Sequence, residues 1–428
     1  MKRFILPVLL LLGLAGCQLA PQGQPLVVQG ALFYPERIAL PSDSIARVTL
    51  KRFDATGDQV VATQEIPLQG RQVPVPFSLE ATVFPAGAAV YELRGSVTLG
   101  AEPFRITRPV MIDAGAGTVD LGMLRLLPVE QVALGAHYVC GAEELLFSAE
   151  GETARMAIQG RVVDMRQARA ASGVLYRALG DETTFFHGKG NEAVVAIEGR
   201  RLPTCRRAEP PAAPFRARGQ EPPWTVSLAG GEAEILLGYD QRRAVMPLLA
   251  ATTEGRVTRF RAAGSGHRLA MDVARRKCND SMSGMPHPYI VAVEFDGQVF
   301  TGCGGEPVDL LAGREWVVED LDGGGIIDRS RVTLALDAAE RRVHGRASCN
   351  TYTGGFVLTG EGISFGNVAA TRMACPEALM NQERKFFRIL EGVNRFDIDA
   401  TGALLLFGGN GTMKAYPASP PPGAAPPQ

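Results

Sequence analysis

The sequence predicts a mainly β protein, with several small β-sandwich or β-barrel domains in tandem and an α+β domain at the end. Three observations carry this. Short runs with an apolar residue at every second position recur, among them "SIARVTLKRF", "TARMAIQGRVV", "EAVVAIEGR", "YIVAVEFDG" and "RVTLALDAAERRVHG"; these are half-buried strands. The 49 glycines and 29 prolines supply turns between them, and helical periodicity is confined to one late stretch. At 428 residues the chain exceeds what one core supports. Lys and Arg number 44 against 45 Asp and Glu, a balance that gives no electrostatic footprint for nucleic acid.

The elements follow in order. Lys2 and Arg3 precede the apolar run Phe4–Leu14, which suits a secretory signal and is too short to span a bilayer. Small residues then run straight into a cysteine, Leu14-Ala15-Gly16-Cys17. This string resembles the lipobox of bacterial lipoproteins. The resemblance implies a signal peptide over 1–16, cleavage before Cys17, and acyl chains on Cys17 that anchor the chain in a membrane. Residues 17–25 read as a tether. Residue 18 is Gln rather than Asp, so the inner-membrane retention signal of enteric lipoproteins is absent, and the expected place is the outer membrane, facing the periplasm.

With Cys17 acylated, Cys140, Cys205, Cys278, Cys303, Cys349 and Cys375 remain, an even set for an oxidising compartment. Fifteen pairings are open in principle. Their distribution over the domains selects 140–205, 278–303 and 349–375, each inside one domain. Zinc-like spacing between cysteines is missing, so no metal and no cofactor are expected.

Residues 26–125 read as a β-sandwich. "RIALPSDSIARVTL" and "GRQVPVPFSLE" resemble the YscW-like family, named for a pilot lipoprotein of type III secretion. The bland role is a spacer that lifts the rest off the membrane.

Residues 136–207 read as a small β-barrel stapled at its ends. Here Ser172-Gly173-Val174-Leu175-Tyr176 and Lys189-Gly190-Asn191-Glu192-Ala193 resemble the MliC family of membrane-bound inhibitors of c-type lysozyme. The resemblance implies that Ser172 and Lys189 project from neighbouring loops into the lysozyme cleft, with Tyr176 in the same motif. Two departures stand out: His187 replaces a tryptophan usual before the lysine, and the serine-to-lysine interval is longer, through "RALGDETT". The segment holds nine acidic and ten basic residues, so it offers no broad attraction to a basic partner.

Residues 208–223 are proline-rich and read as a linker. The next domain, 214–310, resembles an uncharacterised envelope domain through Phe215, Ala217, Gly219, Glu221, Pro222 and Trp224. Its "CNDSMSGMPHPY" places Ser283 near His287, but no nucleophile elbow or positioned carboxylate accompanies them. A cysteine-clamped loop is the expectation. Residues 311–416 resemble the META or HslJ-like domain through Gly345, Cys349, Asn350, Tyr352, Gly354, Thr371, Met373 and Cys375. That family is linked to envelope stress. Pro376 and Glu377 start a helix whose stripe is Leu379, Met380, Phe386, Phe387 and Leu390, stopped by Gly392. Asp320 and Asp322 in "DLDGGG" suit a turn, because the later ligands of a calcium loop are missing. Residues 417–428 read as a disordered tail.

No pattern assembles nucleophile, base and orienting acid, so no catalytic residue and no enzyme are expected. Two functions compete. One is a lipid-anchored inhibitor of c-type lysozyme. The other is a non-enzymatic envelope-stress or assembly lipoprotein whose β modules bind other envelope components.

Overall fold

The computed structural model describes residues 23–84, 89–99, 102–128, 135–141, 143–158, 161–238, 241–399 and 401–418. Cys17 lies outside them, as does the tail beyond residue 418. The described chain is mainly β, with a single α-helix.

In the first domain Gln24–Phe33 lies between Val75–Val83, antiparallel, and Thr118–Arg125, parallel. It starts inside the stretch read as a tether. The second sheet is built on Ile45–Asp54, flanked by Gly57–Pro67 and Val90–Leu99. Alternation sends Leu26, Val28 and Leu32 of one sheet and Ala46, Val48 and Leu50 of the other into one core. The result is the sandwich the pattern predicts.

The second domain is a meander from Ala136–Cys140 to Glu192–Ile197. It closes because Asp181–Lys189 pairs both with Val174–Ala178 and with Glu192–Ile197, while Cys205–Arg207 bridges the latter to Ala136–Cys140. The register Val139↔Arg206 places Cys140 opposite Cys205, and the two are bonded and fully buried. Tyr138, Phe147, Met156, Met165, Tyr176 and Phe186 fill the interior, with Phe147 stacked on Phe186 at 3.6 Å.

The third domain is a closed barrel of consecutive antiparallel strands from Phe215–Gln220 to Gln298–Gly304. The linker reading of 208–223 is corrected here. Phe215, Ala217 and Gly219 alternate inward and Arg216 and Arg218 outward, so the strand begins at 215 despite the surrounding prolines. Closure pairs Arg218 with Cys303, and a Cβ on Gly302 would come within 2.0 Å of the Arg218 carbonyl oxygen. A glycine is therefore required where the last strand meets the first. Cys278 of His267–Asn279 and Cys303 of Gln298–Gly304 are bonded over the strand Pro286–Phe295 that lies between them.

The fourth domain is an eight-stranded sheet covered by the helix Glu377–Gly392. Pro376 takes the cap position, one residue before the expected first turn. The buried face holds Phe386, Ile389 and Leu390 but also Gln382 and Glu383. Glu383 accepts hydrogen bonds from the Asn350 backbone and side-chain amides at 3.0 and 2.9 Å, and Gln382 donates to Ser330 and Ser348. The helix thus pins the loops beside the Cys349–Cys375 disulfide.

The domains are joined by specific contacts. Glu92 of the sandwich is 4% exposed and accepts from Arg259 and Arg261 of the third domain at 2.6 and 2.7 Å. The Arg261 guanidinium lies 3.8 Å from the Phe53 ring centroid, and Arg259 also pairs with Asp272. Met285 of the third domain packs into the core of the fourth, and Lys277 donates to Asp397 and to the Ile398 carbonyl there.

Candidate functional site

The second barrel has one end where two loops meet, and the backbone explains how. Val174–Ala178 and Asp181–Lys189 form a hairpin whose register pairs Val174 with Gly188 and Tyr176 with Phe186. In an antiparallel pair the residues just before one strand lie beside the end of the other. Ser172 is thereby brought next to Lys189. The His187 ring fixes this, with Nε2 2.8 Å from the Ser172 carbonyl oxygen; the carbonyl accepts, so Nε2 donates. Gly173 has φ +71°, and a Cβ on it would meet the Gly188 carbonyl oxygen at 2.3 Å, so the loop lies flat on the strand only with glycine there. On the other side Gly190, at φ +60°, turns the chain from Lys189 into Glu192–Ile197.

Ser172 and Lys189 are both exposed. Glu192, paired across from Lys189, is held by Arg206 at 3.2 Å, and no described carboxylate forms an ion pair with Lys189. The same end carries Val174 and Val194, 43% and 39% exposed. An uncommitted cation, a free hydroxyl and a short apolar rim share one edge. That arrangement suits a cleft that supplies carboxylates and an apolar lip. The residues that lengthen the serine-to-lysine interval lie at the far end of the hairpin, around the Leu179–Gly180 turn and a bulge at Arg177/Ala178. They leave the Ser172–Lys189 end undisturbed.

Tyr176 is a correction. It is 5% exposed, packs edge-on against Phe147, and donates its hydroxyl to the Gly151 carbonyl at 3.0 Å. Its alternation phase on the strand points it into the barrel, so it shapes the site from beneath and does not face a partner. His187 was met in the sequence as a departure; its bond to the serine's own carbonyl shows it as the residue that orders the loop.

The other candidates resolve into structural roles. Ser283 donates to Asp280, not to His287. Burial alone would raise the Asp280 pKa, but the Ser283 and Met282 amides, the Gln220 side chain and the Ser283 hydroxyl hold it down at about 2. His287 is buried with Nδ1 on the Gly305 carbonyl and Nε2 facing the Arg218 guanidinium, which can only donate. The ring is thus held in place from both sides, and the loop serves to seat Met285. Asp320 accepts from the Gly323 and Gly325 amides, a turn as expected. Among the described residues no group of three His, Cys, Asp or Glu gathers as a metal site would require. No described helix is long and apolar enough to cross a membrane.

Three family models match the chain: the type III secretion system lipoprotein chaperone YscW over residues 24–120, the membrane-bound lysozyme inhibitor of c-type lysozyme over 130–202, and the META domain over 309–419. These families are a chaperone, an inhibitor and a META domain, non-catalytic types. No curated protein matches at a significant level. Among solved structures, an alternative pilotin from the type II secretion system of Vibrio cholerae is 24% identical over 24% of this chain and 98% of its own, with a TM-score of 0.21. A protein from Burkholderia xenovorans solved by NMR is 24% identical over 26% of this chain and 87% of its own, with a TM-score of 0.23. The chain is thus similar, in order along its length, to a secretion lipoprotein chaperone, a c-type lysozyme inhibitor and a META domain, with residues 203–308 between the last two matches.

Proposed function

We propose that this chain is an outer-membrane lipoprotein, anchored through Cys17, that binds and inhibits c-type lysozyme through the Ser172–Lys189 end of its second domain. The observation that carries the reading is the convergence of Ser172 and Lys189 on one exposed edge, with Lys189 free of any described counter-ion. Two of its three family matches, to a lysozyme-inhibitor family and to a lipoprotein family, support an envelope lipoprotein.

The chemistry is complementary. A c-type lysozyme works with two carboxyl groups in a cleft, one kept protonated as the acid and one ionised. An ammonium entering that cleft meets the ionised carboxylate without first breaking an ion pair of its own. Ser172 can donate to, or accept from, the second carboxyl. Because the broad charge of the domain is balanced, binding rests on this local match and its apolar rim rather than on long-range steering.

The test is hydrolysis of bacterial cell wall by a c-type lysozyme with the full chain titrated in. Saturable inhibition at micromolar concentration is expected. Undiminished hydrolysis would sink the inhibitor reading and leave the assembly role. The anchor is tested separately: fatty-acid labelling marks the wild type and should be lost in Cys17→Ser, and equal labelling of both would remove the lipoprotein reading.

A further inference from the structure

The second, third and fourth domains meet around a cleft of about 600 Å³ whose walls come from all three. Glu144 belongs to the second domain, Arg275 and Tyr289 to the third, and Arg314 and Trp316 to the fourth. That volume lies in the range of small-ligand sites. The junction around it is tied on both sides: Arg256 reaches Glu144 at 3.2 Å, and Lys277 is bonded to Asp397 at 2.8 Å. A β-bulge between Arg275 and Cys278 turns the run Arg275-Arg276-Lys277 toward this junction, where a regular strand would send alternate residues to opposite faces.

The charges in the cleft are unevenly committed. Lys277 and Glu144 have partners already. Arg275 and Arg314 form no hydrogen bond or ion pair with a described residue; the charges of Glu144 and Asp309 reach Arg275 only at longer range, and Arg314 lies over the Trp316 ring. Arg314 is open to solvent through the mouth yet walled by protein, and burial first, then the Arg275 charge, lowers its pKa. Burial raises that of Asp309, against the lowering effect of the Arg275 charge. Two guanidinium groups that disfavour each other, facing one cavity from two domains, form a fork that an oxyanion would neutralise.

We propose that this three-domain cleft is a binding site for a ligand bearing a carboxylate or phosphate group, gripped by Arg275 and Arg314. The half-buried Tyr289 ring lines the same cleft and gives the anion an aromatic neighbour. Binding there ties three domains together, and it is independent of the lysozyme-binding edge at Ser172 and Lys189.

Calorimetric titration of the full chain at low salt tests this with two probes, inorganic pyrophosphate for the phosphate source and citrate for the carboxylate source. Saturable binding of at least one probe is expected, and the better one names the class of anion. Arg275→Gln and Arg314→Gln, each checked for an unchanged melting profile, should each weaken it roughly tenfold or more. Arg268→Gln, a charge loss at the contact with Asp113, should leave it unchanged. The proposal is overturned if neither probe binds at millimolar concentration, or if the Arg275 and Arg314 variants bind as the wild type does.

Discussion

The second and third domains are both closed antiparallel barrels with one disulfide, yet they place their charges in opposite ways. On the second, the pairs Arg161–Glu198 and Arg206–Glu192 lie in solvent, with side chains 50–74% exposed. Such pairs contribute about 0–1 kcal/mol and commit the surface to little. Lys189 stands beside the second of these without an ion-pair partner among the described residues. On the third, Arg259 and Arg261 are 8% and 3% exposed and close on Glu92 of the first domain. A buried charge must be matched where it sits, so this face is fixed against a neighbour of the same chain. The comparison teaches that barrel closure alone says nothing about role. Which cations are already satisfied separates a face that holds the molecule together from one left open for a partner.

Glu92→Ala attacks that contrast hardest. It leaves the buried Arg261 guanidinium without its carboxylate and leaves Arg259 its pair with Asp272, a loss of about 3–5 kcal/mol. Calorimetry should show the transitions of the first and third domains fall while those of the second and fourth stay. Unmoved transitions would mean that the buried pair does not join the domains.

The two staples differ next. Cys140 and Cys205 are 65 residues apart and Cys278 and Cys303 are 25 apart. In the chain-entropy account the longer loop is worth about 4.3 kcal/mol and the shorter about 3.5 kcal/mol. Replacing each pair by alanine should destabilise its own barrel, the second more than the third, in urea melts of the full chain. The reverse order would show that the third barrel depends on its clamp for more than loop closure, as its Met285 contact with the fourth domain would allow.

Much of this was legible in the sequence. Alternation located strands such as Ile45–Asp54 and Glu192–Ile197, because a half-buried strand writes its two faces in period two. The helix Glu377–Gly392 was legible from its apolar stripe, but Gln382 and Glu383 were not seen as buried, since their burial depends on partners brought from Ser330, Ser348 and Asn350. The strand at Phe215 was hidden by prolines and by arginines on its outer face. At the candidate site the motif gave Ser172 and Lys189, and Tyr176 was misplaced because a motif does not record which way a strand residue faces. Glu92 with Arg259, and Arg275 with Arg314, leave no local trace. Their pairing is set by how whole domains pack, across sequence distances that no periodicity spans.

The measurement that tests the central claim most directly is the affinity of the full chain for c-type lysozyme, read beside its melting profile, for wild type, Lys189→Ala and Ser172→Ala. Lys189 would lose a desolvated charge pair, so its variant should bind roughly 30-fold or more weakly. Ser172→Ala should cost less, about tenfold, for one hydrogen bond to a charged group. Both side chains are exposed, so melting should stay where it is. Wild-type affinity in Lys189→Ala, or an equal loss from Leu179→Ala at the far end of the hairpin, would contradict the account.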